Sequence, residues 1–374
     1  MKKLGFGLMR LPLKDSNDLS SVDLDLSAKM VDLFMDRGFS YFDTAYQYHL
    51  GTSEEILRKI VVSRHRRDTF TVTDKLPCWE IRRKEDLERI FNLQMERCGV
   101  DYFDCYLLHA MNKHYVEVMD RVGGWEFIAK KKAEGKVRHI GFSFHDDSKT
   151  LESILKSHPE MEYVQLQINY IDWNSPSVES GECYRLCEKY GKGVFVMEPI
   201  KGGSLAKVPA AVEEMFREAE PDSSPASWAI RFAASLPSVK VVLSGMSSLE
   251  QVDDNTSYMK DFVPFDEYHS GIVAKASEII QNSIAIPCTG CNYCSPGCPK
   301  KIAIPEYFAM VNSIKQFGGY QRHNTAKYYE LLAAKRGRAN ECIACGQCEA
   351  RCPQHIPIID KLKLVSRIYD TDNE

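Results

Sequence analysis

Two cysteine runs near the end of the chain constrain its fold more than any other feature. Short x2 steps allow one turning loop to direct three thiolates at a common centre, and a fourth cysteine farther along would close the fold. The whole pattern occurs twice, which makes chance a poor explanation. The runs read Cys288-x2-Cys291-x2-Cys294-x3-Cys298-Pro299 and Cys342-x2-Cys345-x2-Cys348-x3-Cys352-Pro353.

This spacing resembles that of bacterial ferredoxins, in which each run serves a [4Fe-4S] cluster and its fourth cysteine ligates the other cluster. Zinc is one alternative, but zinc sites use paired C-x2-C or Cys/His sets and have no need of a second x2 step followed by Cys-Pro. Disulfides are another, but they require an oxidising compartment, of which the sequence gives no sign. The resemblance therefore favours two clusters, one on Cys288, Cys291, Cys294 and Cys352 and one on Cys342, Cys345, Cys348 and Cys298.

The rest of the composition is that of an ordinary globular protein. A chain of 374 residues is too long for a ferredoxin alone and indicates at least two domains. The net charge of -4 gives no indication of a nucleic-acid partner. No stretch is long and apolar enough to span a membrane, and the N-terminal segment, interrupted by Arg10, does not read as a signal peptide. We expect a cytoplasmic protein with further reduced and mostly buried thiols at Cys78, Cys98, Cys105, Cys183 and Cys187.

Predicted strands and helices alternate along the first part of the chain. Eight strands, of which the seventh is Gly193 to Met197, alternate with eight helices, of which the longest is Tyr115 to Glu134. Over about 260 residues this rhythm predicts a (β/α)8 barrel. A doubly wound open sheet is the alternative, but it would require G-x-G-x-x-G after the first strand, and Gly5-x-Gly7 does not continue in that way. The predicted domains are a barrel over 1–262, a helical connector over 263–286, and a small, mainly helical cluster domain over 287–374.

Four side chains with complementary chemistry follow three successive predicted strands. Asp43 and Tyr48 follow the second strand, Lys75 the third and His109 the fourth. The carboxyl ends of barrel strands form one mouth, so these groups are expected to converge. A tyrosine that protonates a carbonyl needs a lowered pKa, which a neighbouring ammonium provides and a carboxylate supports. Each residue alone has an ordinary structural explanation, but their shared position favours a catalytic site.

Over roughly residues 1–260 the chain resembles the aldo-keto reductase family. The likeness lies in Asp43-Thr-Ala-x-x-Tyr48, in the following Gly51-x-Ser53-Glu54, and in Lys75 and His109. It implies that Tyr48 is the general acid/base, that Lys75 tunes it, that Asp43 pairs with Lys75, and that His109 orients the substrate. It further implies a small carbonyl or alcohol substrate and NAD(H) or NADP(H) as cofactor.

The resemblance extends to segments that bind the cofactor in that family. Phe144 replaces the usual asparagine, and Met197 stands where an aromatic ring commonly stacks. Because acidic residues surround Gln251 where NADP-preferring members place arginine or lysine, we expect NADH to be accepted at least as well as NADPH. The residues carried over are Ser143, Gln165 and Met197 for the nicotinamide, Pro199, Lys201, Gly202 and Gly203 for the pyrophosphate, and Ser244, Gly245, Ser247, Gln251 and Asn255 for the adenosine.

The combination of both parts resembles a subgroup of the family that carries a C-terminal iron-sulfur domain. Nicotinamide delivers two electrons as a hydride, whereas a cluster transfers one at a time. Three functions stay open. The chain could be a carbonyl reductase or alcohol dehydrogenase whose clusters relay electrons or support structure, a ferredoxin-linked reductase with a flavin in its barrel, or an electron-transfer subunit with a non-catalytic barrel. A ferredoxin or flavodoxin is a candidate redox partner, and the candidate pocket walls are Trp79, Trp125, Trp173 and Met111.

Overall fold

The structure, a computed structural model, describes residues 2–15, 18–175, 178–317 and 321–370. Its contacts divide the chain into two compact units. Unit 1 comprises Met1–Ile200 with Ala226–Ser270, and unit 2 comprises Lys201–Pro225 with Gly271–Glu374. This division differs from the domain boundaries expected at 262 and 286, which stay predictions and whose last four residues lie outside the described chain.

Unit 1 contains the predicted (β/α)8 barrel. Each strand pairs in parallel with its neighbours in chain order, and the eighth closes on the first. Most strand positions are buried, as expected for parallel strands covered on both faces. Inside this unit Tyr163 and Phe195 stack with their ring centroids 4.2 Å apart. The strands are β1 (Leu4–Gly7), β2 (Tyr41–Asp43), β3 (Thr71–Pro77), β4 (Phe103–Met111), β5 (Val137–Phe144), β6 (Tyr163–Gln167), β7 (Gly193–Met197) and β8 (Val239–Ser244).

Helices account for most of the remaining described chain. Those up to residue 260 are α1 (Leu24–Asp36), α2 (Ser53–Leu57), α3 (Lys84–Cys98), α4 (Lys113–Val122), α5 (Gly124–Ala133), α6 (Ser148–Ser157), α7 (Ser180–Lys189), α8 (Ala210–Ala219), α9 (Pro225–Ser235) and α10 (Leu249–Lys260). The later ones are α11 (Glu267–Ser283), α12 (Ile304–Phe317), α13 (Gln321–Ala333) and α14 (Ile358–Tyr369). Among the described residues, no helix has the length and apolar character needed to cross a membrane.

The prediction of one continuous helix from Tyr115 to Glu134 was wrong. The chain forms α4 and α5 instead, with Gly123 between them at φ +74°. A left-handed residue ends a helix, and glycine adopts that conformation without steric cost. The next residue, Gly124, is also constrained, since a β carbon there would lie 2.5 Å from the Met119 sulfur.

Unit 2 is mainly helical, as predicted for the cluster domain. Its apolar core gathers side chains from α12, α13, α14 and the cysteine loops, including Ile302, Tyr307, Phe308 and Tyr329. The Lys201–Pro225 segment belongs to this unit because it packs tightly there. A β carbon at Gly202 would lie 2.1 Å from the carbonyl oxygen of Thr289, in the first cysteine run.

Candidate active site and cysteine cavities

The carboxyl ends of β2, β3 and β4 bring the four predicted catalytic side chains together. Asp43 is the last residue of β2, and Lys75 and His109 lie in the final parts of β3 and β4. Tyr48 opens a short helical turn after β2. The His49 ring is buried beside it, with its Nε2 atom 2.8 Å from the carbonyl oxygen of Leu8. This contact fixes the turn that carries Tyr48.

A buried ion pair lies at the centre of the site. The Lys75 ammonium donates to Asp43 Oδ1 at 2.6 Å and to the Thr44 carbonyl at 2.8 Å. It also lies 3.4 Å from the Tyr48 hydroxyl. Lys75 and Asp43 are 1% and 3% exposed, so the solvent screens this pair little. The ammonium is therefore held between a carboxylate and a phenol.

The pKa of Tyr48 is raised well above its usual 10, where the sequence predicted a lowered value. Burial of the phenol is the largest cause, and the negative charges of Asp43, Glu198 and Asp74 add to it. Arg10 acts in the opposite direction. The Lys75 charge is offset by Asp43 at 2.6 Å, which explains why the ammonium does not lower the phenol pKa as expected. Tyr48 is thus a protonated phenol at neutral pH.

His109 is a neutral imidazole next to that phenol. Burial first, and then the charges of Lys75 and His145, lower its pKa well below 6.5. Its Nδ1 atom is buried and makes no hydrogen bond within the described chain. Its ring centroid lies 6.3 Å from that of Tyr48 and 5.1 Å from that of Trp79. The ring can therefore offer a hydrogen bond to a substrate without carrying charge.

The candidate pocket walls lie in different environments. Trp79 is half-buried beside His109. Trp125 and Met111 are core residues, 2% and 0% exposed, and Trp125 stacks on His158 with centroids 3.8 Å apart. Trp173 packs against Tyr184 and Phe232.

The predicted nicotinamide residues follow at the ends of the next strands. The buried Gln165 side chain donates to Asp43 Oδ2 at 3.4 Å, and the Ser143 hydroxyl accepts from the Ala110 N–H at 2.7 Å. Phe144 is buried at the end of β5, and Met197 is half-buried at the end of β7. Pro199 is buried two residues farther on.

The predicted adenosine residues form one hydrogen-bonded group after β8. Asn255 donates to the Ser244 hydroxyl at 2.9 Å, and the Gln251 side chain accepts from the Ser247 N–H at 2.7 Å. Gly245 and Ser247 are exposed. Lys201, Gly202 and Gly203 belong to unit 2, where Lys201 is buried and its ammonium lies 3.4 Å from the Gln354 side chain.

Arg10 is a site residue that sequence reasoning did not identify. Its carbonyl accepts from the Ser247 hydroxyl at 2.6 Å, and its side chain lies against Gly245. One of its guanidinium nitrogens, Nη2, is buried without a hydrogen-bond partner in the described chain. Because Arg10 also lowers the pKa of Tyr48, it places a positive charge near the phenol. The signal available in the sequence was a basic residue three positions after the end of β1.

The cysteines of unit 2 form two groups, and each group contains the fourth cysteine of the other run. In the first, the thiols of Cys291 and Cys352 contribute to raising the pKa of Cys288 to about 11, after burial, so the three lie close together. Cys294 interacts with the same three thiols. The second group lines one cavity, whose walls are Cys298, Cys342, Cys345 and Cys348 with Pro299, Lys300, Ile302, Ile304, Ile343, Ile359 and Leu362.

The donor set of the second group fits a [4Fe-4S] cluster. Its four cysteines line a cavity whose remaining walls are largely aliphatic, and four cysteine ligands are what such a cluster takes.

The two runs fold alike, which the left-handed backbone positions show. Positive φ angles occur at Gly290 and Ala344, at Asn292 and Gly346, and at Lys301 and His355. Counted from the first cysteine of each run, these are equivalent positions. The helices that follow, α12 and α14, also begin at equivalent residues, Ile304 and Ile358. The duplication seen in the cysteine spacing therefore extends through the loops into the helices behind them.

Comparison with protein families gives two matches that cover most of the chain. The aldo/keto reductase family matches residues 3–278, and the 4Fe-4S dicluster domain matches residues 287–356.

Curated relatives resemble the barrel part. An aldo-keto reductase of Mycolicibacterium vanbaalenii is 28% identical over 222 residues, which are 59% of this chain and 73% of that protein. An uncharacterised oxidoreductase of Bacillus subtilis is 24% identical over 285 residues, covering 68% of this chain and 86% of that protein.

Solved structures share the fold. The holo form of an aldo-keto reductase from Bacillus halodurans superposes with a TM-score of 0.59 at 21% identity, covering 73% of this chain and 91% of that one. A Klebsiella pneumoniae aldo-keto reductase in complex with NADPH gives 0.56 at 17% identity, covering 74% and 90%.

Proposed function

Because the chain belongs to the aldo/keto reductase family of oxidoreductases, we propose that it reduces a carbonyl compound with NAD(P)H, or oxidises the corresponding alcohol, with Tyr48 as general acid/base. The observation that carries this proposal is the position of Lys75, 2.6 Å from Asp43 and 3.4 Å from the Tyr48 hydroxyl. Burial of an ion pair removes both charges from water, which costs free energy. A catalytic role explains why the Lys75–Asp43 pair is nevertheless buried beside a phenol.

Each of the four side chains has a distinct task. A bound reduced nicotinamide would supply the hydride. Tyr48 gives its proton to the carbonyl oxygen, and the Lys75 ammonium stabilises the phenolate that remains. Asp43 holds the Lys75 ammonium in place through their ion pair. Neutral His109 donates a hydrogen bond that orients the carbonyl.

Support for a nicotinamide cofactor comes from the site and from the fold neighbours. Gln165 and Ser143 lie buried next to the catalytic group, and Met197 ends the following strand. The Klebsiella pneumoniae neighbour contains NADPH. We propose that Ser143, Gln165 and Met197 bind the nicotinamide and that Pro199, Ser244, Gly245, Ser247, Gln251 and Asn255 make further contacts with the cofactor. The assignment of Lys201, Gly202 and Gly203 to the pyrophosphate stays a prediction.

The adenosine end is proposed to accept NADH at least as well as NADPH. The side chain of Gln251 is neutral and bonded to Ser247, and the nearby Arg37 is already paired with Asp253. A 2'-phosphate would therefore meet no guanidinium fork on α10. Gln251→Arg should raise kcat/KM for NADPH relative to NADH about tenfold, and Asn92→Arg, on α3, is a control that should leave the ratio unchanged. A wild-type protein that strongly prefers NADPH would contradict the proposal.

The two cysteine groups are proposed to hold two [4Fe-4S] clusters that relay electrons or stabilise unit 2. The dicluster-domain match and the crossed grouping of the thiols support this assignment. The relatives named above bring no support for a flavin. Several of these thiols are half-exposed or exposed, and they would be oxidised in an oxidising compartment. Their exposure therefore favours a reducing compartment such as the cytoplasm.

Anaerobic purification would test the proposed function in one preparation. We expect about eight irons per chain, no extractable flavin, and NADH-dependent reduction of simple aldehydes or ketones. A preparation that contains stoichiometric flavin and reduces no carbonyl compound would favour the ferredoxin-linked alternative.

A further inference from the structure

The two cysteine groups differ in how far they are exposed. In the first group, the loop at Thr289 is covered by Gly202, and Gln354, which follows Cys352, is 4% exposed beside Lys201. In the second group Cys345 is exposed, and the neighbouring Ile343 is 58% exposed. A cluster in the second cavity would therefore have an edge close to solvent.

Positive charge lies around that exposed edge. Lys300 and Lys301 follow Cys298-Pro299 directly, both are exposed, and neither forms an ion pair within the described chain. Lys301 is also held at φ +53°, which turns the chain sharply next to the cavity. Lys363 lies near Cys342, although Asp360 at 2.8 Å offsets its charge.

The acidic side chains of the same region are held by other groups of unit 2 rather than by Lys300 or Lys301. Glu349 accepts from the Ile359 N–H at 2.8 Å and is half-buried. Glu341 accepts from the Arg338 N–H at 2.9 Å. The edge thus combines the exposed Ile343 side chain with two lysines, Lys300 and Lys301, that form no ion pair within the described chain, a combination that suits a transient interface with an acidic partner.

We propose that the Ile343 face, which consists of Ile343 rimmed by Lys300, Lys301 and Lys363, docks a small acidic one-electron carrier protein. The cluster held by Cys298, Cys342, Cys345 and Cys348 is the one that exchanges electrons with it. In each exchange the reduced carrier loses one electron and the cluster gains one, with no bond formed or broken and no proton moved. This inference rests on the cluster assignment in the proposed function and is independent of the Tyr48 chemistry.

Binding to the intact, cluster-loaded protein tests the docking face. The probe is an acidic plant-type [2Fe-2S] ferredoxin, with Kd measured by anaerobic calorimetry at about 50 mM and about 300 mM salt. Lys300→Glu/Lys301→Glu should weaken binding about tenfold or more and remove most of its salt dependence. The matched control, Lys130→Glu/Lys136→Glu, carries the same charge change on exposed lysines of the barrel and should bind as the wild type does.

A second variant separates weaker docking from loss of the cluster as the cause of weaker binding. Ile343→Ser keeps every charge and should weaken binding while the salt dependence is retained. Stopped-flow mixing with reduced ferredoxin should show slower bleaching of the cluster in both variants, and iron analysis should show an unchanged cluster content. Equal Kd values in all four proteins, binding without salt dependence, or no binding to the wild type would overturn the proposal.

The docking face and the proposed carbonyl chemistry can fail separately. Tyr48→Phe should bind ferredoxin with the wild-type Kd while it loses carbonyl reduction. If the docking face is wrong, NADH-dependent turnover still depends on Tyr48, whereas the lysine variants bind ferredoxin as the wild type does.

Discussion

The Nζ atom of Lys75 lies 2.6 Å from Oδ1 of Asp43, and both side chains are almost fully buried. Removal of one partner of a buried ion pair leaves an uncompensated charge, with a typical cost of about 3–5 kcal/mol. The geometry of the whole catalytic group depends on this pair, since the same ammonium is also the neighbour of Tyr48.

We therefore expect Lys75→Met to lower the free energy of unfolding by about 3–5 kcal/mol and to reduce carbonyl turnover strongly. Lys130→Met is the control, because the Lys130–Glu134 pair is exposed and should contribute at most about 1 kcal/mol. Denaturant titrations of both variants, followed by circular dichroism, measure the difference. Equal stability of the two variants would show that the Lys75 pair is not the buried centre described above.

The pH dependence of turnover should differ between the two reaction directions. Tyr48 has a pKa well above 10 and His109 one well below 6.5, so neither changes charge between about pH 7 and pH 9. Reduction uses the protonated phenol and should be independent of pH in that interval. Alcohol oxidation uses the phenolate and should rise about tenfold per pH unit. Steady-state kcat/KM profiles check both, and a reduction rate that falls between pH 7 and pH 9 would contradict the assignment.

The crossed grouping of the cysteines predicts which double substitutions destroy one cluster and which destroy both. Cys294→Ala/Cys298→Ala changes one run but both groups, and should leave about zero irons per chain. Cys298→Ala/Cys345→Ala changes both runs but one group, and should leave about four. Cys78→Ala, a buried barrel thiol, should retain the full iron content. Iron analysis with the opposite pattern would mean that each run holds its own cluster.

The Gly202–Gly203 pair offers a matched test of packing inside unit 2. Both residues have positive φ, but only at Gly202 would a β carbon meet the Thr289 carbonyl, at 2.1 Å, whereas Gly203 has open space. Gly202→Ala should therefore destabilise the protein by several kcal/mol and accelerate iron release from the group that contains Cys288, whereas Gly203→Ala should cost about 1 kcal/mol. Thermal unfolding and the rate of iron release to a chelator measure the two effects. Similar values for both variants would show that Gly202 does not pack against the Thr289 carbonyl.

Much of the fold could be predicted because its signals are local. The seventh strand, Gly193–Met197, has the predicted bounds. Asp43, Lys75 and His109 could be placed because strand ends of a barrel share one mouth. The Gly123–Gly124 pair was also a local signal, and it should have divided the helix predicted from Tyr115 to Glu134.

What the sequence did not predict depends on distant residues. The raised pKa of Tyr48 results from burial and from Glu198 and Asp74, which no spacing rule connects to it. Arg10 was not identified because its contact is with Ser247, which lies far from it in the sequence. The packing of Gly202 against Thr289 likewise joins residues that are far apart in the sequence. The helix α8 (Ala210–Ala219) was also not predicted.

The most direct test of the central claim is the kcat for NADH-dependent carbonyl reduction by Tyr48→Phe, with the Kd for NADH measured on the same protein. If Tyr48 is the proton donor, kcat should fall by about 10²- to 10⁴-fold while the Kd for NADH stays within about twofold of the wild-type value. An unchanged kcat would contradict the proposed chemistry, whatever the iron content of the preparation.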